Sequence, residues 1–257
     1  MAQPHGPDYH EKLPGLRDYS GADANHGVHG IDEILDVIHQ LSAAGIPFCV
    51  VGVSALRYYG AARVTDEWDF CVPDDKLATA CQLLLDAQHD GNEKYKIDKP
   101  PPPVPPSVRH TFPSFRRKCY NFWFILTPSS DCFVDPSLEA HVERSKNGVP
   151  YASLIQFARS LLIQQRGSDR ADFIDGMNLD IEWGQASDEF VKLKNHRLKD
   201  DGYSGGLSPQ PLEDRWREIA SSEAKQRRIE PLKQGRYFTR WRIIKSPKDP
   251  RTKDRPV

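Results

Sequence analysis

The chain has 257 residues, 38% of them hydrophobic and 28% charged, with a formal net charge of −1. It is long enough to bury a sizeable core, with one principal domain of ~150–190 residues as the natural expectation, and no segment approaches the ~18 apolar residues of a membrane span, which argues against a membrane protein. The near-neutral total hides an asymmetry: residues 1–190 carry 17 Lys/Arg against 27 Asp/Glu, while residues 191–257 carry 18 against 9, so an acidic body precedes a basic extension.

Residues 1–28 are rich in Gly, Pro, Asp and His without periodicity and read as a disordered lead-in with no signal-peptide run. His5, His10, His26 and His29 lack fixed ligand spacing, so no metal site is read there. A helix follows Gly30, with Ile31, Ile34, Leu35, Ile38 and Leu41 on one face and Gly45 as its terminator. An apolar strand, Phe48 to Val51, then meets a glycine turn at Gly52 and a short helix from Ser54. Beyond a polar loop comes a second strand in which Glu67 and Asp69 alternate with Trp68 and Phe70. Pro73 and Asp74 open a helix running through Leu84, with Asp74 or Asp75 as its cap or first-turn acid.

The run Pro100 to Pro106 reads as a stiff polyproline spacer, an insertion of about residues 99–107. Val108 to Phe115 and Tyr120 to Leu126 read as two strands joined by the basic turn Arg116-Arg117-Lys118, which is either a hydrated turn or a phosphate contact. After Gly148, Ser153 caps a helix with Leu154, Phe157, Ala158, Leu161 and Leu162 on its apolar stripe. A further helix carries Arg170 and Asp172, read with Arg166 as salt-bridge residues. In the extension, Leu212 to Arg228 reads as a basic helix with Trp216 and Ile219 on one side. Arg236 to Lys245 interleaves cations with aromatics, a pattern shared by a half-buried edge strand and a nucleic-acid contact. Five cysteines without CxxC spacing (Cys49, Cys71, Cys81, Cys119 and Cys132) read as buried, reduced thiols of an intracellular protein, cytoplasmic or nuclear.

The chemistry concentrates between Gly52 and Asp69. In a strand, residues i and i+2 share a face, so Glu67 and Asp69 project together while Trp68 and Phe70 pack behind them. Two adjacent carboxylates repel unless a cation lies between them, and hard oxygen donors suit Mg²⁺. The free N–H groups of the turn at Gly52 and Ser54 attract an anion such as phosphate.

Gly52, Ala55, Leu56, Gly60, Arg63, Thr65 and Asp69 also fall in order on a longer pattern: apolar strand, Gly-Gly or Gly-Ser, x-Ala-Leu, spacer, Gly, then Arg-x-Thr-x-Asp-x-Asp. On these residues the chain resembles the nucleotidyltransferase-fold superfamily related to DNA polymerase beta, and in particular the small nucleotidyltransferases of type IV toxin–antitoxin systems. Val53 stands where the pattern has its second glycine or serine, and Glu67 where it has its first Asp. The resemblance implies an α/β (α+β) fold, a mixed, partly antiparallel sheet with packed helices, over about residues 29–190. A disordered N-terminus and a basic C-terminal extension, 191–257, flank it. It implies an NTP held by Gly52, Ser54, Arg63 and Thr65, with Mg²⁺ or Mn²⁺ on Glu67 and Asp69 as catalytic carboxylates, and an acceptor hydroxyl attacking the α-phosphate. A third carboxylate completes the site in such enzymes. The strand Tyr120 to Leu126 has none, leaving Asp131 or Asp135 as candidates if Cys132 to Val134 forms a returning strand. The alternative is a catalytically degenerate member that binds nucleotide, RNA or a protein without turnover. Nucleic acid is a candidate partner through the basic extension.

Overall fold

A computed structural model describes residues 31–61, 63, 67–89, 92–97, 108–117, 123–164, 167–186, 212–233 and 249–252. The lead-in, Thr65, the proline run, Lys118, Cys119, Arg166 and the Arg236 to Lys245 segment lie outside them. In chain order the first elements are α1 (Ile31–Ala43), β1 (Cys49–Val51), α2 (Gly52–Tyr58), β2 (Glu67–Val72) and α3 (Leu77–Asp86). A small hairpin, β3 (Gln88–His89) and β4 (Asn92–Glu93), precedes β5 (Tyr95–Ile97), β6 (Ser114–Arg117) and β7 (Trp123–Pro128). There follow α4 (Ser129–Cys132), β8 (Val142–Arg144), β9 (Pro150–Ala152), α5 (Leu154–Ile163), α6 (Gly167–Met177), α7 (Ile181–Ala186), α8 (Leu212–Ala220) and α9 (Ser222–Lys233).

Seven strands form one mixed sheet in the order β5-β6-β7-β2-β1-β9-β8. The tight β1–α2–β2 link makes β1 and β2 antiparallel, while β7 runs parallel to β2 and β9 parallel to β1. β2 lies at the centre of this sheet, and its residues Trp68, Phe70, Cys71 and Val72 are buried, as a central strand covered on both faces requires. Phe48 and Phe70 pack tilted with ring centroids 5.8 Å apart, and Phe115 and Phe124 stack at 5.9 Å across β6 and β7. Each such ring removed from water stabilises the fold by ~1.5–3 kcal/mol. The mixed α/β architecture expected from the sequence is therefore present.

The helices follow their apolar periodicity. Ile34, Val37, Ile38 and Leu41 of α1 are buried at helical spacing, and α1 packs against α3, which in turn lies over β5 and β7. α2 sits on β1 and β2 and meets α6. The approach is close at Gly60 and Gly176: a β-carbon on Gly60 would stand 2.5 Å from the Gly176 carbonyl oxygen. Around them Tyr59, Phe157 and Phe173 form a ring cluster with centroids 5.4–5.6 Å apart, and the Tyr59 hydroxyl donates to the Ala152 carbonyl at 2.6 Å.

Several local expectations are corrected. Val108 to Phe115 is not one strand. Arg109 to Thr111 forms a 3-10 turn, closed by the Thr111 hydroxyl on the Val108 carbonyl at 2.7 Å, and the ladder begins only at Ser114. Pro113 has no N–H to give a ladder, which explains the delay, although its carbonyl accepts from Leu126 N–H at 3.0 Å. Arg116 and Arg117 consequently belong to β6, and the Arg116 guanidinium lies 5.2 Å over the Trp123 ring. Asp74 and Asp75 form a separate 3-10 turn and do not cap α3; Asp74 instead accepts from Ser129 Oγ and Ser130 N, both at 3.0 Å. Ser153 occupies the cap position of α5, but the capping acceptor is Glu143, whose Oε2 takes the Leu154 N–H at 3.1 Å.

The single basic helix expected over Leu212 to Arg228 is two helices, broken at Ser221. They are packed into the body. Trp216 is buried against Gly184 and Trp183, and its indole N–H donates to the Asp180 carbonyl at 3.0 Å. Arg215 is buried with a bond to the Leu162 carbonyl, and Arg228 forks onto Asp175 at 2.9 and 2.5 Å. Arg228 thus meets its counter-charge, Asp175, inside the fold.

Candidate functional site

β2 presents Glu67 and Asp69 on one face, two residues apart, with Trp68 and Phe70 buried behind. In the antiparallel register Val51 lies opposite Asp69, so the chain turns at Gly52 directly beside the Asp69 side chain. Gly52 has φ +65°, and a β-carbon there would overlap the Asp69 carboxylate. Both facts demand glycine at this position. The Asp69 carboxylate itself thus lies against the first residue of α2, in the space a bound anion would share. Ser54 is buried, and its hydroxyl donates to the Glu67 carbonyl at 3.1 Å, tying α2 to the start of β2.

The cation between the two acids is an arginine. Arg109 Nη1 stands 2.7 Å from Glu67 Oε2, and Nη2 stands 2.6 Å from Asp69 Oδ1. Each arm of the guanidinium fork takes a different carboxylate, a geometry a point charge cannot reproduce. Burial opposes the charge on Arg109, but Asp69 and Glu67 outweigh it and hold its pKa above the ordinary arginine value. The 3-10 turn delivers this side chain because it directly precedes β6, where Ser114 pairs with Ile125 of β7, itself the partner of Asp69. Arg109 therefore reaches its partners over β7.

The remaining sequence candidates lie elsewhere. Arg63 donates through Nε to Asp172 Oδ2 at 2.6 Å, pairs with the same oxygen through Nη2, and reaches Asp169 through Nη1 at 2.9 Å. It ties the β1–β2 connection to α6. Thr65 lies outside the described residues. Asp131 and Asp135 are not brought to Glu67: Cys132 closes the short helix α4, and no returning strand forms there. Because β7 runs parallel to β2 with Val72 beside Pro128, Asp131 emerges at the far end of β2, about 10 Å of strand beyond Asp69. There it faces Asp74, and burial followed by that charge raises its pKa. The β7 positions that oppose Glu67 and Asp69 are Trp123 and Ile125. Among the described residues, no three His, Cys, Asp or Glu side chains gather where they could hold a metal ion.

Sequence reasoning missed Arg109, which lies 40 residues from Asp69 beyond the proline run. The signal available was chemical: a facing acid pair requires a cation. Among the described residues, no helix is long and apolar enough to cross a membrane. No protein-family model matches the chain, and no curated protein matches it.

Proposed function

We propose that the protein is a nucleotidyltransferase-like nucleotide-binding protein that does not carry out transfer. The ordered motif from Gly52 to Asp69 supports the family reading, as does the placement of the acid pair beside a glycine turn on adjacent antiparallel strands. The observation that favours binding over turnover is Arg109, bridging Glu67 and Asp69 where transfer chemistry would seat its divalent ions.

The donors at this position do not fit the Mg²⁺ or Mn²⁺ centre that the resemblance implies. Two carboxylates are satisfied by a guanidinium, and the strand positions opposite them carry Trp123 and Ile125 in place of a third acid. Two-metal phosphoryl chemistry needs ions that clamp both the attacking and the leaving oxygens, and two donors already paired to an arginine fit that task poorly. No transfer step is assigned to the site.

Calorimetric titration of ATP, GTP, CTP and UTP into the full chain tests this proposal, beside an assay for pyrophosphate release with Mg²⁺ and Mn²⁺. Saturable binding of at least one nucleotide without pyrophosphate release is the expected result. Metal-dependent pyrophosphate release abolished by Asp69→Asn would replace this proposal with the active transferase. Absence of binding by all four nucleotides would end the nucleotide reading.

A further inference from the structure

A divalent ion and a guanidinium solve the same electrostatic problem in different ways. Mg²⁺ accepts oxygen donors at about 2.0–2.1 Å in a near-octahedral shell that usually includes several waters. Arginine brings one delocalised charge and N–H groups in a rigid plane, and it does not lose its proton in proteins. At β2 the two acids lie on successive outward positions of one strand, and the two terminal nitrogens of Arg109 meet one each, at 2.7 and 2.6 Å.

Three features keep the guanidinium there. The Asp69 carboxylate is packed against Gly52, which restricts its swing away from Arg109. The turn carrying Arg109 is closed by the Thr111–Val108 bond and joined to β7 through the Pro113 carbonyl and Leu126. Ser54, finally, anchors the backbone of Glu67 to α2.

We infer that Arg109 is the resident cation of this site, standing in for a divalent metal, so that an anionic phosphate ligand is met by the guanidinium and binds independently of metal. The phosphate half of this inference rests on the nucleotide-binding proposal above, whereas the cation half stands on the ion-pair geometry alone. Removing the guanidinium takes away the cation that bridges Glu67 and Asp69. Metal uptake is then the expected gain and metal-free phosphate binding the expected loss. A merely structural arginine would unmask the acids in the same way but predicts no loss of metal-free phosphate binding.

The experiment has two arms on the full chain, with far-UV circular dichroism confirming the fold of each variant. In the first, Mn²⁺ alone is titrated and followed by electron paramagnetic resonance, using wild type, Arg109→Gln, Arg109→Lys and the double variant Arg109→Gln/Asp69→Asn. If the bridged state masks the acids at 10:1 or more, Arg109→Gln binds Mn²⁺ at least about tenfold more tightly than wild type. The double variant loses that gain, and Arg109→Lys, whose ammonium cannot fork, falls between. Equal Mn²⁺ affinity in wild type and Arg109→Gln overturns the inference. Should Arg109→Gln fail to fold, equal affinity in wild type and Arg109→Lys overturns it instead. In the second arm, ATP binding is measured by calorimetry with EDTA and with Mg²⁺. Wild type is expected to bind equally in both and Arg109→Gln to bind only with Mg²⁺; loss of wild-type binding in EDTA overturns the metal-independent role. If ATP binds none of the chains, the nucleotide proposal fails while the Mn²⁺ arm still decides whether Arg109 is the resident cation.

Discussion

Arg63 and Arg109 each hold a pair of acids, and they do so in different settings. Arg63 spans Asp169 and Asp172, one turn apart on α6; Arg109 spans Glu67 and Asp69, two residues apart on β2. The charges are alike and the bonds similar in length. Their surroundings differ. The Asp172 side chain is 2% exposed and the arginine there joins a loop to a helix, whereas Glu67 keeps 30% of its side chain in solvent beside a glycine turn. Residue chemistry alone therefore does not separate an ion pair that holds the fold from one that forms a candidate site; solvent access and the backbone beside it do. Only Arg63 lies inside the motif, and it is the one committed to structure.

The largest effect expected is from Arg63→Ala. It removes the Arg63 pairing from the buried Asp172 and should cost about 3–5 kcal/mol, read as a lowered urea midpoint with an unchanged slope. A cost below ~1 kcal/mol would mean that the α6 cluster is as solvent-relieved as the β2 cluster, and the contrast between them would collapse. Gly52→Ala comes next, at about 2–3 kcal/mol, because alanine at φ +65° is strained and its methyl displaces Asp69. Chemical denaturation checks this, and a neutral result would show that Asp69 has room to move. Arg109→Gln should cost about 1–2 kcal/mol, between the exposed and buried limits, because water reaches Glu67 while Asp69 is buried. The same denaturation series checks the ranking, and a loss equal to that of Arg63→Ala would make Arg109 a fold residue first.

Much of the frame could be read from residue order. Ile34, Ile38 and Leu41 announced α1, and the alternation of Trp68 and Phe70 with Glu67 and Asp69 announced β2 and its outward face, because periodicity registers burial directly. Gly52 was legible too, since few residues fit a turn that close to a neighbouring strand. The pairing of side chains was not legible. Arg63 sits inside the motif and suggested a phosphate contact, yet its acids lie 106 and 109 positions away on α6. Arg109 sat in what resembled a β-branched and aromatic strand, and only Pro113 hinted that the ladder could not start until Ser114. Likewise, the +9 charge of the extension left open whether it is held by the acidic body or presented to an anionic partner, because composition counts charges without locating partners such as Asp175 for Arg228. Local patterns report what a residue does to its own backbone; long-range ion pairs depend on topology that those patterns do not encode.

The smallest effect sharpens the comparison most, because it separates two roles for one hydroxyl. Ser54 falls in the motif as a phosphate contact, but in the fold it donates to the Glu67 carbonyl. Ser54→Ala should lower stability by about 0.5–1.5 kcal/mol, the usual net worth of one such hydrogen bond. Because the bond fixes the backbone of an acid held by Arg109, Ser54→Ala and Arg109→Gln should be non-additive by ~0.5 kcal/mol or more in a double-mutant cycle. Ser54→Ala and Arg63→Ala, whose acids belong to α6, should add within ~0.5 kcal/mol. Denaturant midpoints of the three single and two paired variants beside wild type supply both cycles. Coupling to Arg63 in place of Arg109 would join the two arginine clusters into one network. Additivity in both cycles, together with a nucleotide affinity lowered by Ser54→Ala, would return the hydroxyl to the phosphate role and leave the Glu67 carbonyl an incidental partner.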